Sequence, residues 1–278
     1  MQTTLNIIGS GHLARTMGRL WQRKGSIALR DVLSRTPDNA AAACGFIGGG
    51  RPLSSYEALS AADIYLIATP DDQIARCCEQ LADTGLLQPG VVVFHCSGAL
   101  PAAALAAAAA CGALVASVHP VRSFAAPEQV AQSFAGTWCG VEGDPAALAV
   151  LTPLFTGLGA QLVEIAPAAK TVYHAAAVFA CNYLVTLLDV AVQAYGHAGV
   201  PEDVAMKMME PLVRRTVDQA FAAGTAAALS GPIARGDKVT VDRQCAAVSA
   251  WDRDKGALYA LLAKETLALA QRRRDASP

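Results

Sequence analysis

Residues 7–18 read "IIGSGHLARTMG", a glycine-rich turn that follows the apolar run "TLNII" and opens a stretch of helical spacing. Gly9, Ser10, Gly11, His12, Leu13 and Ala14 form a GxGxxA pattern. Each small residue has a mechanical task in such a loop. Gly9 permits the tight turn out of a strand, Gly11 leaves bare backbone for a pyrophosphate, and Ala14 lets helix and strand pack closely. A helix starting at His12 would turn its free N–H groups toward the phosphates. The pattern alone is weak, but here it follows a strand, opens a helix and begins a strand–helix–strand unit. It is read as a dinucleotide site, the alternative being a plain strand-to-helix turn.

The alternation continues through the first half of the chain. Residues 4–9, 27–34, 63–69, 91–97, 114–119, 137–143 and 160–167 are short apolar runs that read as strands, and residues 12–24 and 71–83 read as helices. Continuous rather than alternating apolar strands predict a doubly wound parallel α/β sheet covered on both faces, spanning residues 1–166. From residue 168 the strand signal stops. "AKTVYHAAAVFACNYLVTLLDVAVQAYGHAG" is apolar at nearly every helical phase, which predicts a helix buried all round. Gly199 and Pro201 end it, further helices follow around a turn at "SGPIARGD", and "RRRDASP" reads as a frayed polar tail. Residues 167–278 are therefore expected to form an all-α domain that makes a homodimer through its helices.

Composition narrows the function classes. The 278 residues are 53% hydrophobic and 16% charged, with a net charge of −1 and no basic stripe, so no nucleic-acid partner is expected. The eight cysteines show no metal or redox spacing, so no metal is expected, and they suit a reducing cytoplasm. No secretory leader is visible. The alanine run 102–110 is too short to span a membrane, so no membrane partner is expected either.

The end of the second strand bears on which dinucleotide is held. An NAD site wants a carboxylate there for the ribose hydroxyls. Here Ser34, Arg35 and Thr36 stand in that place, and the nearest acid, Asp31, lies three residues deeper. Two hydroxyls and a guanidinium suit a 2′-phosphate, so NADP(H) is the expected cofactor. The same residues could simply cap a helix opening at Pro37. Thr69 and Pro70, after another strand, would sit at the sheet edge where such ligands bind. Asp71 and Asp72 read as helix-capping acids, with a catalytic pair as the alternative.

Candidates for chemistry gather in three places. His119 ends a strand before Pro120 and could handle a proton, or could merely bond a loop carbonyl. Ser97 ends the preceding strand and could orient a reacting group. Lys170, His174, Val178 and Asn182 recur every four residues, so three polar groups share one face of an apolar helix. That stripe reads as facing a ligand, with a polar contact across the dimer as the alternative. Arg235 and Asp237 either staple a turn or let Arg235 hold an anionic small-molecule substrate. His95 reads as structural, and Tyr173 as a core or interface residue.

The pieces "GSGHLA", "SRT", "ATPDDQI", "HCSGAL", "SVHPVRSF", "YHAAAVFACNYL" and "GPIARGD" run in order across nearly the whole chain. Together they resemble the Rossmann-like proteins of unknown function that pair a domain like that of deazaflavin-dependent NADP oxidoreductases with a DUF2520-type helical domain. The wider clan includes ketopantoate reductase, prephenate dehydrogenase, pyrroline-carboxylate reductase and the β-hydroxyacid dehydrogenases. The resemblance implies a nucleotide domain followed by a dimerising helical one. His119-Pro120 is similar to the His-Pro element of prephenate dehydrogenases. The Lys-x-x-x-Asn face of ketopantoate reductases is only half matched, because His174 stands where the asparagine would be. The expected activity is hydride transfer between NADP(H) and a small carbonyl, imine or hydroxy compound in a cleft between the domains. The alternative is a module that senses NADP(H) without turnover.

Overall fold

Runs of aliphatic side chains with no polar face can be strands only where both faces of a sheet are covered. A computed structural model describes residues 2–275 and shows this arrangement. Eight strands form one sheet: β1 (Thr4–Ile8), β2 (Ala28–Leu33), β3 (Arg51–Leu53), β4 (Ile64–Ile67), β5 (Val92–His95), β6 (Leu114–Pro120), β7 (Trp138–Gly143) and β8 (Gln161–Glu164). Their order is β3-β2-β1-β4-β5-β6-β7-β8, so the winding reverses between β1 and β4. The helices α1 (His12–Lys24), α2 (Pro37–Ile47), α3 (Asp71–Asp83), α4 (Ala106–Ala110), α5 (Pro127–Gln132) and α6 (Pro145–Thr156) lie in the connections. On one face Trp21, Phe94 and Phe155 meet edge to face at 5.4–6.4 Å. On the other, Tyr65, Leu81 and Leu105 belong to a second core.

Two departures from the expected sheet have physical causes. β7 pairs antiparallel with β6, with His119 opposite Gly140, whereas every other pair is parallel. The six-residue α5 between them rises about 9 Å, too little to return the chain along the roughly 23 Å of seven-residue β6. The short edge strand β3 was not expected, because three residues that include Pro52 give no periodic signal.

After β8 the chain is helical: α7 (Lys170–Ala177), a π-helical turn (Val178–Asn182), α8 (Tyr183–His197), α9 (Glu202–Ala223), α10 (Thr225–Ala228), α11 (Pro232–Arg235), α12 (Lys238–Trp251) and α13 (Arg253–Asp275). The chain divides into two compact units after Ala180, rather than after residue 166, so α7 belongs with the sheet. In the second unit α12 packs on α13 and α8 on α9. The long apolar helix is not buried all round as expected. No residue of α8 is buried, and Val185 is 67% exposed. By length and composition, Pro167–His197 could cross a membrane, with a mean hydropathy of 1.9. Residues 272–275 of the expected frayed tail continue α13, and the last three lie outside the described residues.

Candidate active site

Gly9 follows the end of β1, and its φ of +121° lies in a region that favours glycine. A Cβ at Gly9 would stand 2.3 Å from the Ala68 carbonyl oxygen just beyond β4. The Gly9 N–H donates to Leu33 O at 2.8 Å, and the Ala68 N–H donates to Ile8 O at 2.7 Å. The three strand ends are thus drawn together where the winding reverses, the place at which open α/β sheets bind ligands. Gly11 precedes α1 with no side chain to cap it, and a Cβ there would meet no protein atom. The first-turn N–H groups of a helix have no intrahelical acceptor, so this end is free to meet an anion.

A pocket of about 530 Å³ opens at this point, lined in part by Gly9, Ser10, Gly11, Arg35, Thr69 and Pro70. Ser34 also lines it, and its hydroxyl meets that of Ser10 at 2.7 Å, tying the glycine loop to the end of β2. Asp31, within β2, does not line the pocket. Its carboxylate accepts from Arg51 at 2.9 and 3.2 Å and from the Ser60 N–H at 2.7 Å. Burial opposes its ionisation, but those hydrogen bonds outweigh burial and hold it below the usual carboxylate range. Among the described residues no Asp or Glu lines the pocket, whereas two arginines do, Arg35 and Arg76. Sequence reasoning missed Arg76, although Gln73, Arg76, Cys77 and Gln80 recur at helical spacing along one face of α3. The Thr69 hydroxyl oxygen is buried and has no partner among the described residues. An orphaned hydroxyl beside bare glycine backbone fits a bound dinucleotide.

Some expected cofactor residues have other tasks. Thr36 caps α2, its hydroxyl accepting from the Asn39 N–H at 3.3 Å. Ala14 is buried, as close packing requires, while exposed His12 and half-buried Leu13 do not line the pocket.

The second cluster stands at the ends of β5 and β6. His119 Nδ1 lies 3.0 Å from the Tyr173 hydroxyl, and its ring meets that of His174 edge to face at 5.7 Å. Gly98 lies beneath both imidazoles. A Cβ there would come within 2.4 Å of His174 Nδ1 and 2.8 Å of His119 Nε2, so only glycine lets the rings close in. His174 Nδ1 is buried and has no hydrogen-bond partner among the described residues.

Lys170 and Ser97 are part of the scaffold, which corrects the catalytic roles expected of them. Lys170 is 1% exposed, donates to the Ser97 carbonyl at 3.0 Å and to the Ser117 hydroxyl, and has Glu142 at 3.6 Å. The Ser97 hydroxyl donates to Asp71 at 2.7 Å and accepts the N–H groups of Ala99 and Leu100 at 3.1 and 3.0 Å. That leaves it no capacity to orient a substrate. Asp71 therefore serves as a brace for Ser97, and Pro70 holds the cap position of α3. His95 is structural, as read: it accepts the Ser97 N–H at 3.1 Å and meets Pro101 O at 3.2 Å.

Asn182 is exposed and lies in the π-helical turn, whose wider winding breaks the four-residue period that aligned it with Lys170 and His174. Arg235 closes α11 in the second unit. Asp237 does not staple to it but caps α12, accepting from the Thr240 N–H at 3.1 Å and hydroxyl at 2.7 Å.

Burial pushes both His95 and His119 down to about 4, with the nearby Lys170 adding to the effect. An unfolded histidine titrates near 6.5, so between those values the unfolded chain binds more protons than the folded one. Stability should therefore fall as pH drops through that window, by up to about 2.7 kcal/mol per pH unit for two such sites. Urea unfolding at pH 7 and pH 4.5 measures this, and His95→Gln with His119→Gln should flatten the slope. A slope unchanged by the double substitution would contradict the assignment.

Residues 6–120 match the Rossmann-like domain family, and residues 137–266 match DUF2520, a domain of unknown function. The second match begins at the antiparallel strand β7. No curated protein matches the chain. Among solved structures, protein TM1727 from Thermotoga maritima superposes with a TM-score of 0.77 at 24% identity, covering 97% of this chain and 99% of that one. BF3122 from Bacteroides fragilis, named as a candidate NADP oxidoreductase, gives 0.76 at 20% identity over 96% and 98%. A reductive aminase from Aspergillus terreus in complex with NADPH gives 0.66 at 16% identity over 100% and 95%. At these identities the likeness is one of fold. The chain thus carries a region that matches the Rossmann-like model followed by one that matches DUF2520, the pairing its sequence motifs resemble.

Proposed function

We propose that the protein is a soluble NADP(H)-dependent oxidoreductase acting on a small carbonyl, imine or hydroxy compound. The observation that carries this is the pocket at the reversal point, which is lined by two arginines and, among the described residues, by no Asp or Glu. A carboxylate there would hold the free ribose hydroxyls of NAD and repel a 2′-phosphate, whereas Arg35 and Arg76 attract one. The glycine loop and the start of α1 would hold the pyrophosphate. When bound, the nicotinamide supplies or accepts the hydride. β6 lies two strands from β4, about 10 Å along the sheet edge, so a dinucleotide seated in the pocket would extend toward His119 and His174. Those imidazoles would orient the reacting group and exclude water from it. Reductive aminase and imine reductase structures bound to NADPH or NADP+ share the fold, which supports the reading.

We also propose that the exposed apolar side chains of the helical unit are covered by a second copy of the chain. Val185, Leu212 and Phe221 are 67%, 62% and 89% exposed, more than a monomer ordinarily leaves in water. A membrane span fits less well, because Lys170 and Tyr173 fasten the start of the Pro167–His197 stretch to the sheet. Light scattering after gel filtration should give the mass of a dimer, and Phe221→Asp with Val185→Asp should give that of a monomer. A monomeric wild type would overturn the reading.

Isothermal titration should show NADPH binding more tightly than NADH. Charge-assisted hydrogen bonds contribute about 1.5–3 kcal/mol each, so Arg35→Ala and Arg76→Ala should each weaken NADPH by roughly ten- to a hundredfold. Binding of NADH should be nearly unaffected. Equal affinity of the wild type for both nucleotides would defeat the proposal.

A further inference from the structure

We infer that Tyr173 is a positioning residue that fixes His119 as the neutral tautomer protonated at Nε2. The imidazole then meets the substrate as a hydrogen-bond donor to a lone pair, and not as a base. This rests on the oxidoreductase reading for its substrate but not for its geometry.

The argument begins with the proton count on one hydrogen bond. His119 Nδ1 and the Tyr173 hydroxyl are 3.0 Å apart with their rings edge to face, and one proton lies between them. If His119 donated it, the phenol would have to place its own proton on another acceptor. Among the described residues the hydroxyl has no second acceptor. A phenol O–H is also a stronger donor than a neutral imidazole N–H, and an imidazole nitrogen a stronger acceptor than a phenol oxygen. Gly140 lets the phenol approach, since a Cβ there would stand 2.5 Å from the hydroxyl oxygen. With no second acceptor among the described residues, the phenol's proton goes onto Nδ1. Burial raises the phenol's affinity for its proton and lowers that of the imidazole, which agrees with an O–H···N bond between neutral partners.

A neutral imidazole that accepts at Nδ1 carries its hydrogen on Nε2. Nε2 is the nitrogen crowded over Gly98, beside His174 Nδ1, which has no partner among the described residues. The free edge of His119 therefore offers an N–H. A carbonyl oxygen or the nitrogen of a neutral imine can accept it. A protonated iminium, which has no lone pair and is itself a donor, cannot. The arrangement thus favours an uncharged C=O or C=N group at His119 over an iminium ion.

The test is nitrogen NMR on the full-length protein labelled with ¹⁵N-histidine, free of nucleotide, at pH 7. His119 is assigned by the loss of its signals in His119→Gln. The expected wild-type spectrum shows a protonated, pyrrole-type Nε2 and an unprotonated, pyridine-type Nδ1. Tyr173→Phe should shift His119 toward a mixture of tautomers, while His95, which does not touch Tyr173, keeps its shifts. A wild-type His119 protonated at Nδ1, or doubly protonated, overturns the inference, and so does a tautomer that Tyr173→Phe leaves unchanged. Should Tyr173→Phe fail to fold, the wild-type spectrum alone decides between Nε2–H and Nδ1–H. Because the readout needs no turnover, a protein that lacks oxidoreductase activity can still pass or fail it.

Discussion

The ammonium of Lys170 fixes the sheet edge on which the chemistry is placed. It is sealed among the Ser97 carbonyl, the Ser117 hydroxyl and the Glu142 carboxylate, and so joins β6, β7 and the loop after β5 to the first turn of α7. Residues three and four positions along a helix share a face with the first. Once Lys170 is anchored, Tyr173 and His174 are carried onto His119 and Gly98. Burying a cation is costly unless it is paired and hydrogen-bonded, and a lost partner would strand Glu142 in the core. That cost favours a single seating of α7.

The other end of the edge depends on a steric constraint. Gly9 must pass against the Ala68 carbonyl with a positive φ, which brings the ends of β1, β2 and β4 to one point. Charge then distinguishes the resulting pocket. Asp31 is held by Arg51 and Ser60, and Arg35 and Arg76 line the pocket. The glycine loop, the arginine-lined pocket and the pair of imidazoles thus stand along one row of strand ends.

Much of this was legible in the sequence because it is local. Apolar runs without alternation gave seven of the strands, and the glycine spacing together with Ser34-Arg35 marked the pocket. What was misread depends on distant partners. Spacing placed Lys170 on a polar stripe but could not show that its partners are residues 53 and 73 positions away in the sequence. Tyr173 read as a core aromatic for the same reason, its partner His119 being 54 residues distant. Ser97 looked free because the groups that occupy its hydroxyl come partly from α3. The antiparallel β7 has the same apolar pattern a parallel strand would have, and only the shortness of α5 betrays it. The exposed apolar α8 is a related case, since periodicity reports that a face must be covered without naming what covers it.

Hydride transfer is the central claim, and isotopic labelling tests it directly. The protein would be incubated with NADPH deuterated at nicotinamide C4, in each stereochemical form, and a panel of small carbonyl and imine acids, with products read by mass spectrometry. The expected result is deuterium on the reduced carbon from one of the two forms, lost in His119→Ala. Tight binding of NADPH with no deuterium passed to any acceptor would contradict the account and leave a protein that only holds the nucleotide.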